Sequence, residues 1–284
     1  MASFLFLSGY LTKIENDNWL KFYKKRIIRV IIPYVIWTIF YTVANLGISA
    51  FALKRILVNL VTTKASGPLY YVFVYIEFVL LTPLIGKLAK SKYRWIGWLI
   101  SPLAVIVFKY YPVIGGFTLG KYVSIVWSAC FLGWFTFYYL GILLGNKIMD
   151  KKYNIKLLVI LYSISIILQM MEGYVWLRLG VDNCGGQLKF TAFVTSTLFL
   201  LMSYWFIVND KVKIKSKLLV LIGNYSFGIY LSHMMVIKYL RKVPFYSSIP
   251  YIANSFIVLS LCLIVLIIGH KICGKKVSEW LGII

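Results

Sequence analysis

Acidic residues are scarce in this sequence. Eight Asp and Glu stand against 31 Lys and Arg in 284 residues, which gives a net charge of +23. All charged residues together make up 14% of the chain and hydrophobic residues 61%, with a mean hydropathy of +0.84. A soluble protein usually has about 25% charged residues. The shortage of charge excludes an ordinary soluble protein and predicts a polytopic membrane protein.

The sequence also lacks a concentrated basic block. Lys and Arg lie in short clusters between apolar stretches, which is typical of a topology signal rather than of a nucleic-acid-binding surface. Nucleic acid is therefore not an expected partner, whereas the lipid bilayer is.

Metal-binding and disulfide patterns are missing as well. The four cysteines, Cys130, Cys184, Cys262 and Cys273, show no CxxC spacing, and the two histidines form no HExxH motif. This composition predicts neither a disulfide framework nor a bound metal. We expect no permanently bound cofactor.

Long apolar runs dominate what remains. Each is close to the 17 to 25 residues that span a bilayer. We predict eight spans, at residues 31–52, 68–86, 95–110, 122–146, 157–172, 190–208, 218–239 and 251–269. No soluble domain interrupts them, so the expected fold is an all-α, polytopic integral membrane helix bundle that forms one transmembrane domain over residues 1–284.

The basic clusters predict the orientation. Alternate loops carry 21 of the 31 Lys and Arg, at residues 13–29, 87–94, 147–156, 211–217 and 271–276. By the positive-inside rule these loops are cytoplasmic, and so is the C-terminus. The Lys- and Ile-rich composition fits a bacterial cytoplasmic membrane.

The first segment, "MASFLFLSGYLTK", is too short to span. Its apolar run of eleven residues gives about 16 Å of helix, against a hydrocarbon core of about 30 Å. We interpret it as a partial N-terminal helix, the second half of a span whose beginning is missing. An interfacial or re-entrant segment is the alternative.

Paired arginines stand in the first basic loop, "KFYKKRIIRVIIPYVIW". Arg26 and Arg29 are three residues apart and share a helical face. Paired guanidinium groups at a helix end suit bidentate contact with phosphates. Lipid headgroups or a pure topology role are the alternatives.

An acidic residue lies inside the second predicted span. Glu77 stands near the centre of "GPLYYVFVYIEFVLLTPLIG", with Tyr70 on the same face, seven residues earlier. A carboxylate in the bilayer costs about 2.5 to 3.5 kcal/mol on insertion scales, so it is expected to be functional or paired. A catalytic role and a structural interhelical hydrogen bond are both open.

A polar stripe runs along the seventh predicted span. Ser226, Tyr230 and His233 are spaced four and three residues apart, so they fall on one helical face. Such a face is expected to look into a polar cavity, where a neutral imidazole can serve as a base or a hydrogen-bond donor. A structural histidine between helices is the alternative.

Five segments resemble the integral-membrane acyltransferase-3 family. In chain order they are "FLFLSGYLT", "KRIIRVIIPYVIW", "GPLYYVFVYIEFVLLTPLI", "WFTFYYLGILLG" and "IGNYSFGIYLSHMMVI". Each segment alone is a weak match, but together the five follow the family's order over nearly the whole chain.

The resemblance implies a ten-helix enzyme that transfers an acyl group, usually acetyl, from cytoplasmic acyl-CoA to a carbohydrate. The acceptor would be a hydroxyl of a cell-surface or exported carbohydrate or glycolipid. Arg26 and Arg29 would hold the donor's phosphates or orient the transfer. Ser226, Tyr230 and His233 would face the central cavity.

Three features depart from the family pattern. The family's principal catalytic histidine lies in a first helix that this sequence does not contain, Tyr70 stands where Trp is common, and Glu77 stands where Gln is usual. His233 is then a second cavity histidine, and the remaining candidate base. A carbohydrate exporter and a catalytically inactive family member are the alternative functions.

Overall fold

The computed structural model describes residues 1–47, 53–116, 130–149, 153–181, 184–209 and 216–283. Within these ranges every regular element is helical. The α-helices, in chain order, are α1 (Ala2–Tyr10), α2 (Trp19–Leu46), α3 (Leu53–Thr62), α4 (Tyr70–Lys90), α5 (Ile96–Val105), α6 (Tyr111–Ile114), α7 (Phe135–Gly145), α8 (Ile155–Arg178), α9 (Phe190–Val208), α10 (Lys217–Asn224), α11 (Ser226–Leu240) and α12 (Tyr251–Trp280). The all-α prediction is confirmed for the described part of the chain.

Shorter helical pieces extend some of these helices. A 3₁₀ turn, Gly67–Leu69, leads into α4, and another, Phe131–Trp134, leads into α7. A π-helical stretch, Ile106–Tyr110, joins α5 to α6.

Six helices are long and apolar enough to cross a membrane. They are Trp19–Leu46, Gly67–Lys90, Ile96–Ile114, Ile155–Arg178, Phe190–Val208 and Tyr251–Trp280. Each contains or largely overlaps a predicted span. The predicted total of eight is not confirmed, because one remaining candidate is short and another is bent.

The short candidate is Phe131–Gly145. Most of the other residues of the predicted span 122–146 lie outside the described residues. The bent candidate combines α10 and α11, which meet at Tyr225 at an angle of 75°. The span predicted over residues 218–239 is therefore broken into two helices, and whether it crosses the membrane stays a prediction. Gly223 and Asn224 end α10, and such residues are typical of helix C-termini.

The chain divides into two compact units. Unit 1 comprises Met1–Asp17 and Val74–Lys213, and unit 2 comprises Asn18–Phe73 and Ile214–Ile284. The division falls inside α4.

Unit 1 is organised around close contact between α1 and α7. Gly9, Gly141 and Gly145 let the two backbones touch: a Cβ at Gly141 would lie 2.1 Å from the carbonyl oxygen of Phe6. Small residues four apart commonly allow such approach between membrane helices. Asn146 closes the end of this pair, because its side chain accepts from the N–H of Ile14 and donates to the carbonyl of Thr12.

The short N-terminal helix of the sequence prediction is confirmed in length. The helix α1 has nine residues, and in unit 1 it contacts both α7 and α9. Whether it is half of a longer span stays a prediction.

In unit 2, side chains of α2 bond to backbone atoms of other segments. The hydroxyl of Tyr34 donates to the carbonyl of Leu60 in α3 at 2.6 Å. The indole N–H of Trp37 donates to the carbonyl of Leu281 at 2.9 Å. These bonds place the two ends of the unit's sequence side by side.

The last helix of unit 2 changes direction at Gly274. This residue has φ of 72° and ψ of 174°, a conformation that glycine adopts without steric cost. The residues that follow pack back against the membrane helices, and Ile283 joins a buried cluster with Tyr225, Leu263 and Leu266. We call residues 274–283 the C-terminal segment.

Candidate functional site

A cavity of about 710 Å³ lies beside the first turns of α2 in unit 2. The helix begins there because the Asn18 side chain accepts a hydrogen bond from the N–H of Lys21 at 2.9 Å, which caps one of the free backbone donors. The lining residues are Lys21, Lys24, Lys25, Ile28, Arg29, Ile32, Pro33, Glu279 and Trp280. We call this space the cationic cavity.

The charge of the cationic cavity is strongly unbalanced. Four cationic side chains, from Lys21, Lys24, Lys25 and Arg29, line it together with one carboxylate, that of Glu279. The cations project from the same side of α2 because their spacing follows the helical period. A concave site with this charge suits a ligand that carries several negative charges.

The two predicted arginines are placed differently. Arg29 lines the cationic cavity, whereas Arg26 is not among its lining residues. The guanidinium of Arg26 lies over the ring of Phe22, 4.8 Å from its centroid. The structure thus brings Arg29, and not the pair, to the cavity wall.

The opposite wall comes from the C-terminal segment. The turn at Gly274 is stabilised by the hydroxyl of Ser278, which donates to the Gly274 carbonyl at 2.7 Å. Because the hydroxyl hydrogen of Ser278 takes part in this bond, its oxygen must accept a hydrogen bond from Nδ1 of His270, 2.9 Å away. This arrangement, with the Trp37–Leu281 bond, holds Glu279 and Trp280 at the cavity.

A second polar group of unit 2 lies on α11, around Tyr230. Its hydroxyl donates to the carbonyl of Pro68, and its ring packs edge-on against Tyr71, with centroids 5.3 Å apart. The ring of His233 follows at 6.0 Å from that of Tyr230. The predicted neighbours Tyr230 and His233 are therefore brought together.

The tautomer of His233 follows from its contacts. Its Nδ1 lies 2.7 Å from the carbonyl oxygen of Tyr230 and 3.2 Å from that of Ile229. A carbonyl only accepts, so Nδ1 carries the proton when the imidazole is neutral. The lone pair is then on Nε2, which is the form required of a base.

The other predicted residues of unit 2 have less defined roles. Ser226 is the first residue of α11, directly after the break at Tyr225, and is partly buried. Tyr70 is partly buried at the start of α4, next to Tyr71, which makes the ring contact with Tyr230.

Glu77 lies in unit 1, whereas His233 lies in unit 2. The carboxylate of Glu77 accepts the N–H of Phe131 at 2.8 Å. It thereby caps the 3₁₀ turn that opens α7, where the helix dipole favours a negative charge. This contact is the interhelical hydrogen bond that the sequence analysis left open beside a catalytic role.

Sequence reasoning missed part of both groups. Lys21, Lys25 and Arg29 follow one another at intervals of four residues, and Lys24 lies three after Lys21, so helical periodicity could have found both lysines. Glu279, Trp280, Tyr71 and Pro68 are distant in sequence from their partners, and no local pattern marks them.

Metal ligands do not assemble in the described residues. No group of three or more His, Cys, Asp or Glu that could hold a metal ion occurs among them.

The helices define a multi-pass membrane protein. Its unit 2 contains a cavity lined by cations and a histidine, His233, that is a candidate base. The family model described as "Acyltransferase domain" (Acyl_transf_3) matches residues 1–269. The chain belongs to this family, as the resemblance indicated. No curated protein and no solved structure matches the chain.

Proposed function

We propose that this membrane acyltransferase transfers an acyl group, in the simplest case acetyl, from acyl-CoA to a hydroxyl of a carbohydrate or glycolipid acceptor. The observation that carries the proposal is the cationic cavity. Coenzyme A bears three phosphate groups at one end, and the four cations of the cavity match such a polyanion.

The course of α2 supports a linear donor. Tyr41 lies twelve residues after Arg29, about 18 Å further along the helix axis. The Tyr41 hydroxyl bonds to Leu231 and Met235, which flank His233 by two residues on each side. The phosphates and the reacting thioester of acyl-CoA are likewise separated by a long linear arm, so one donor molecule would extend from the cavity to the level of His233.

The chemistry requires a base near the thioester. Nε2 of His233 would take the proton of an acceptor hydroxyl as its oxygen attacks the thioester carbonyl. A carbon–oxygen bond forms, the carbon–sulfur bond breaks, and the proton goes to the departing thiolate. The C-terminal segment contributes Glu279 and Trp280 to the donor's cavity, although it lies beyond the residues that the family model matches.

The test compares variants of the purified protein in detergent micelles. Coenzyme A binding is expected to weaken at least tenfold in Arg29→Ala, because a charge-assisted hydrogen bond contributes about 1.5 to 3 kcal/mol. The matched variant Arg26→Ala is expected to lose less than threefold, since Arg26 does not line the cavity. Lys54→Ala, an exposed cation of α3, is expected to bind normally.

Turnover is measured separately as acetyl-CoA cleavage in the presence of carbohydrate acceptors. His233→Gln is expected to lose at least a hundredfold in kcat with unchanged coenzyme A binding. If all three alanine variants lost the same affinity for coenzyme A, the cationic cavity would not be the donor site. Normal binding without any cleavage by the unaltered protein would favour the exporter or the inactive family member.

A further inference from the structure

Tyr41 makes an unusual contact with the helix that carries His233. Its side chain is 3% exposed. Its hydroxyl donates to the carbonyl of Leu231 at 2.7 Å and accepts the N–H of Met235 at 3.2 Å. These two groups are backbone atoms of α11.

These two backbone groups belong to the same turn. In an α-helix, the N–H of residue 235 is the normal partner of the carbonyl of residue 231. The phenol oxygen of Tyr41 therefore contacts both ends of one bond of the helical ladder. A side chain that inserts at such a point alters the local course of the helix.

His233 stands in the middle of this turn. The orientation of its ring is set by backbone carbonyls, because Nδ1 bonds to that of Tyr230 at 2.7 Å. Any change in the turn from Leu231 to Met235 changes the angle between the His233 side chain and that carbonyl.

A second contact fixes the register of the same two helices. The ammonium of Lys238 donates to the carbonyl of Ala44 and to Oδ1 of Asn45, at the end of α2. The helix α2 thus holds α11 at two levels, and the level of Tyr41 coincides with His233.

We propose that Tyr41 is a positioning residue for His233. Its hydroxyl fixes the turn of α11 so that the N–H of Nδ1 keeps donating to the Tyr230 carbonyl. Nε2 then remains available to accept a proton. This inference rests on the proposed function only for its effect on turnover. Its effect on the imidazole is independent of any activity.

The decisive variant is Tyr41→Phe, and α2 supplies a matched control. Tyr34 is also buried, at 4% exposure, and its hydroxyl also donates to a backbone carbonyl, that of Leu60. Tyr34→Phe removes a comparable hydrogen bond without touching α11.

The first readout is the ¹⁵N spectrum of the imidazoles in the whole 284-residue chain in micelles. The His233 signals are assigned by their loss in His233→Gln. In the unaltered protein we expect mainly the tautomer protonated on Nδ1, and in Tyr41→Phe we expect a clear decrease of its share. Tyr34→Phe is expected to keep the original spectrum.

The second readout is acetyl-CoA cleavage. We expect Tyr41→Phe to lower kcat at least tenfold with KM for acetyl-CoA within twofold, because misorientation removes part of the 10²- to 10⁴-fold contribution of a base. Tyr34→Phe is expected to stay within twofold in both constants.

An unchanged His233 spectrum in Tyr41→Phe would overturn the proposal, and so would an equal change in Tyr34→Phe. Full turnover in His233→Gln together with a shifted tautomer in Tyr41→Phe would refute the base and leave the positioning contact established. If Tyr41→Phe does not fold, a fluorinated tyrosine at position 41 keeps the shape and strengthens the donor. A shifted His233 spectrum then supports the proposal, and an unshifted one overturns it.

Discussion

The contact between α1 and α7 in unit 1 differs in kind from the contacts that α2 makes in unit 2. In unit 1, α1 and α7 meet backbone to backbone, and the positions of Gly9, Gly141 and Gly145 have no room for a Cβ. In unit 2, α2 reaches its neighbours with long side chains: Tyr34, Trp37 and Tyr41 each donate to a backbone carbonyl of another segment.

The difference has a physical consequence for function. Helices in backbone contact leave no space between them for a ligand, and they do not tolerate an added side-chain atom at the contact. Side-chain contacts hold helices farther apart and leave room between them for polar groups, as at the cationic cavity of unit 2. The candidate donor site and His233 lie in unit 2, where α2 makes these side-chain contacts.

The sharpest way to test this comparison is to add one methyl group to each unit. In Gly141→Ala the new Cβ would meet the Phe6 carbonyl oxygen at 2.1 Å, with backbone rather than a flexible side chain opposite. We expect a loss of about 3 kcal/mol in the free energy of unfolding. Denaturant-induced unfolding in micelles measures it.

The matched control is Gly223→Ala in α10 of unit 2, where nothing lies within 4 Å of the added Cβ. Alanine there is expected to stabilise the protein by about 0.5 kcal/mol. Equal destabilisation by both variants would contradict the contrast between the units.

A smaller effect is expected from the charge of the cationic cavity. Glu279→Gln removes the one carboxylate that lines the cationic cavity. Coenzyme A should then bind about twofold tighter, because the repulsion between its phosphates and an exposed carboxylate is weak. Equilibrium binding measures the gain, which should vanish at high salt because mobile ions screen exposed charges. Glu15→Gln, a carboxylate of unit 1, should leave binding unchanged, and a gain from it would argue for a mere effect of net charge.

The smallest effect is expected at the surface of unit 1. Lys90 donates a hydrogen bond to Glu15 at 2.5 Å, and this bond, followed by the positive charge of Lys90, lowers the pKa of Glu15. A lowered pKa in the folded state stabilises the protein at neutral pH, and the stabilisation is lost as the pH falls through the folded-state pKa. Both side chains are exposed, so the contribution is slight.

Glu15→Gln should therefore lower the melting temperature slightly at pH 7 and not at all at the most acidic pH tested. A scan of melting temperature against pH for both proteins checks this. If the difference in melting temperature between the two proteins grew as the pH falls, the pKa of Glu15 would be raised rather than lowered by folding.

The sequence predicted features that depend on composition and on short spacing. Six apolar helices, the contact of Tyr230 with His233 and the cationic start of α2 all follow from hydropathy or helical periodicity. These signals are local, so neighbouring residues in the chain carry them.

What the sequence did not predict depends on residues far apart. Tyr41 is 190 residues from Leu231, and Trp37 is 244 residues from Leu281. Neither has a neighbour in the chain that marks its partner. The break at Tyr225 was missed because both halves are apolar, so hydropathy continues across the bend.

The cationic cavity also constrains the count of membrane crossings. The start of α2 and the end of α12 line the same space, and two segments on one face of a bilayer are separated by an even number of crossings. Among the described residues, the six long helices satisfy this parity, whereas adding either the bent pair or Phe131–Gly145 alone gives an odd number. Among the described helices, this parity is kept when the two irregular segments both cross the membrane or both do not.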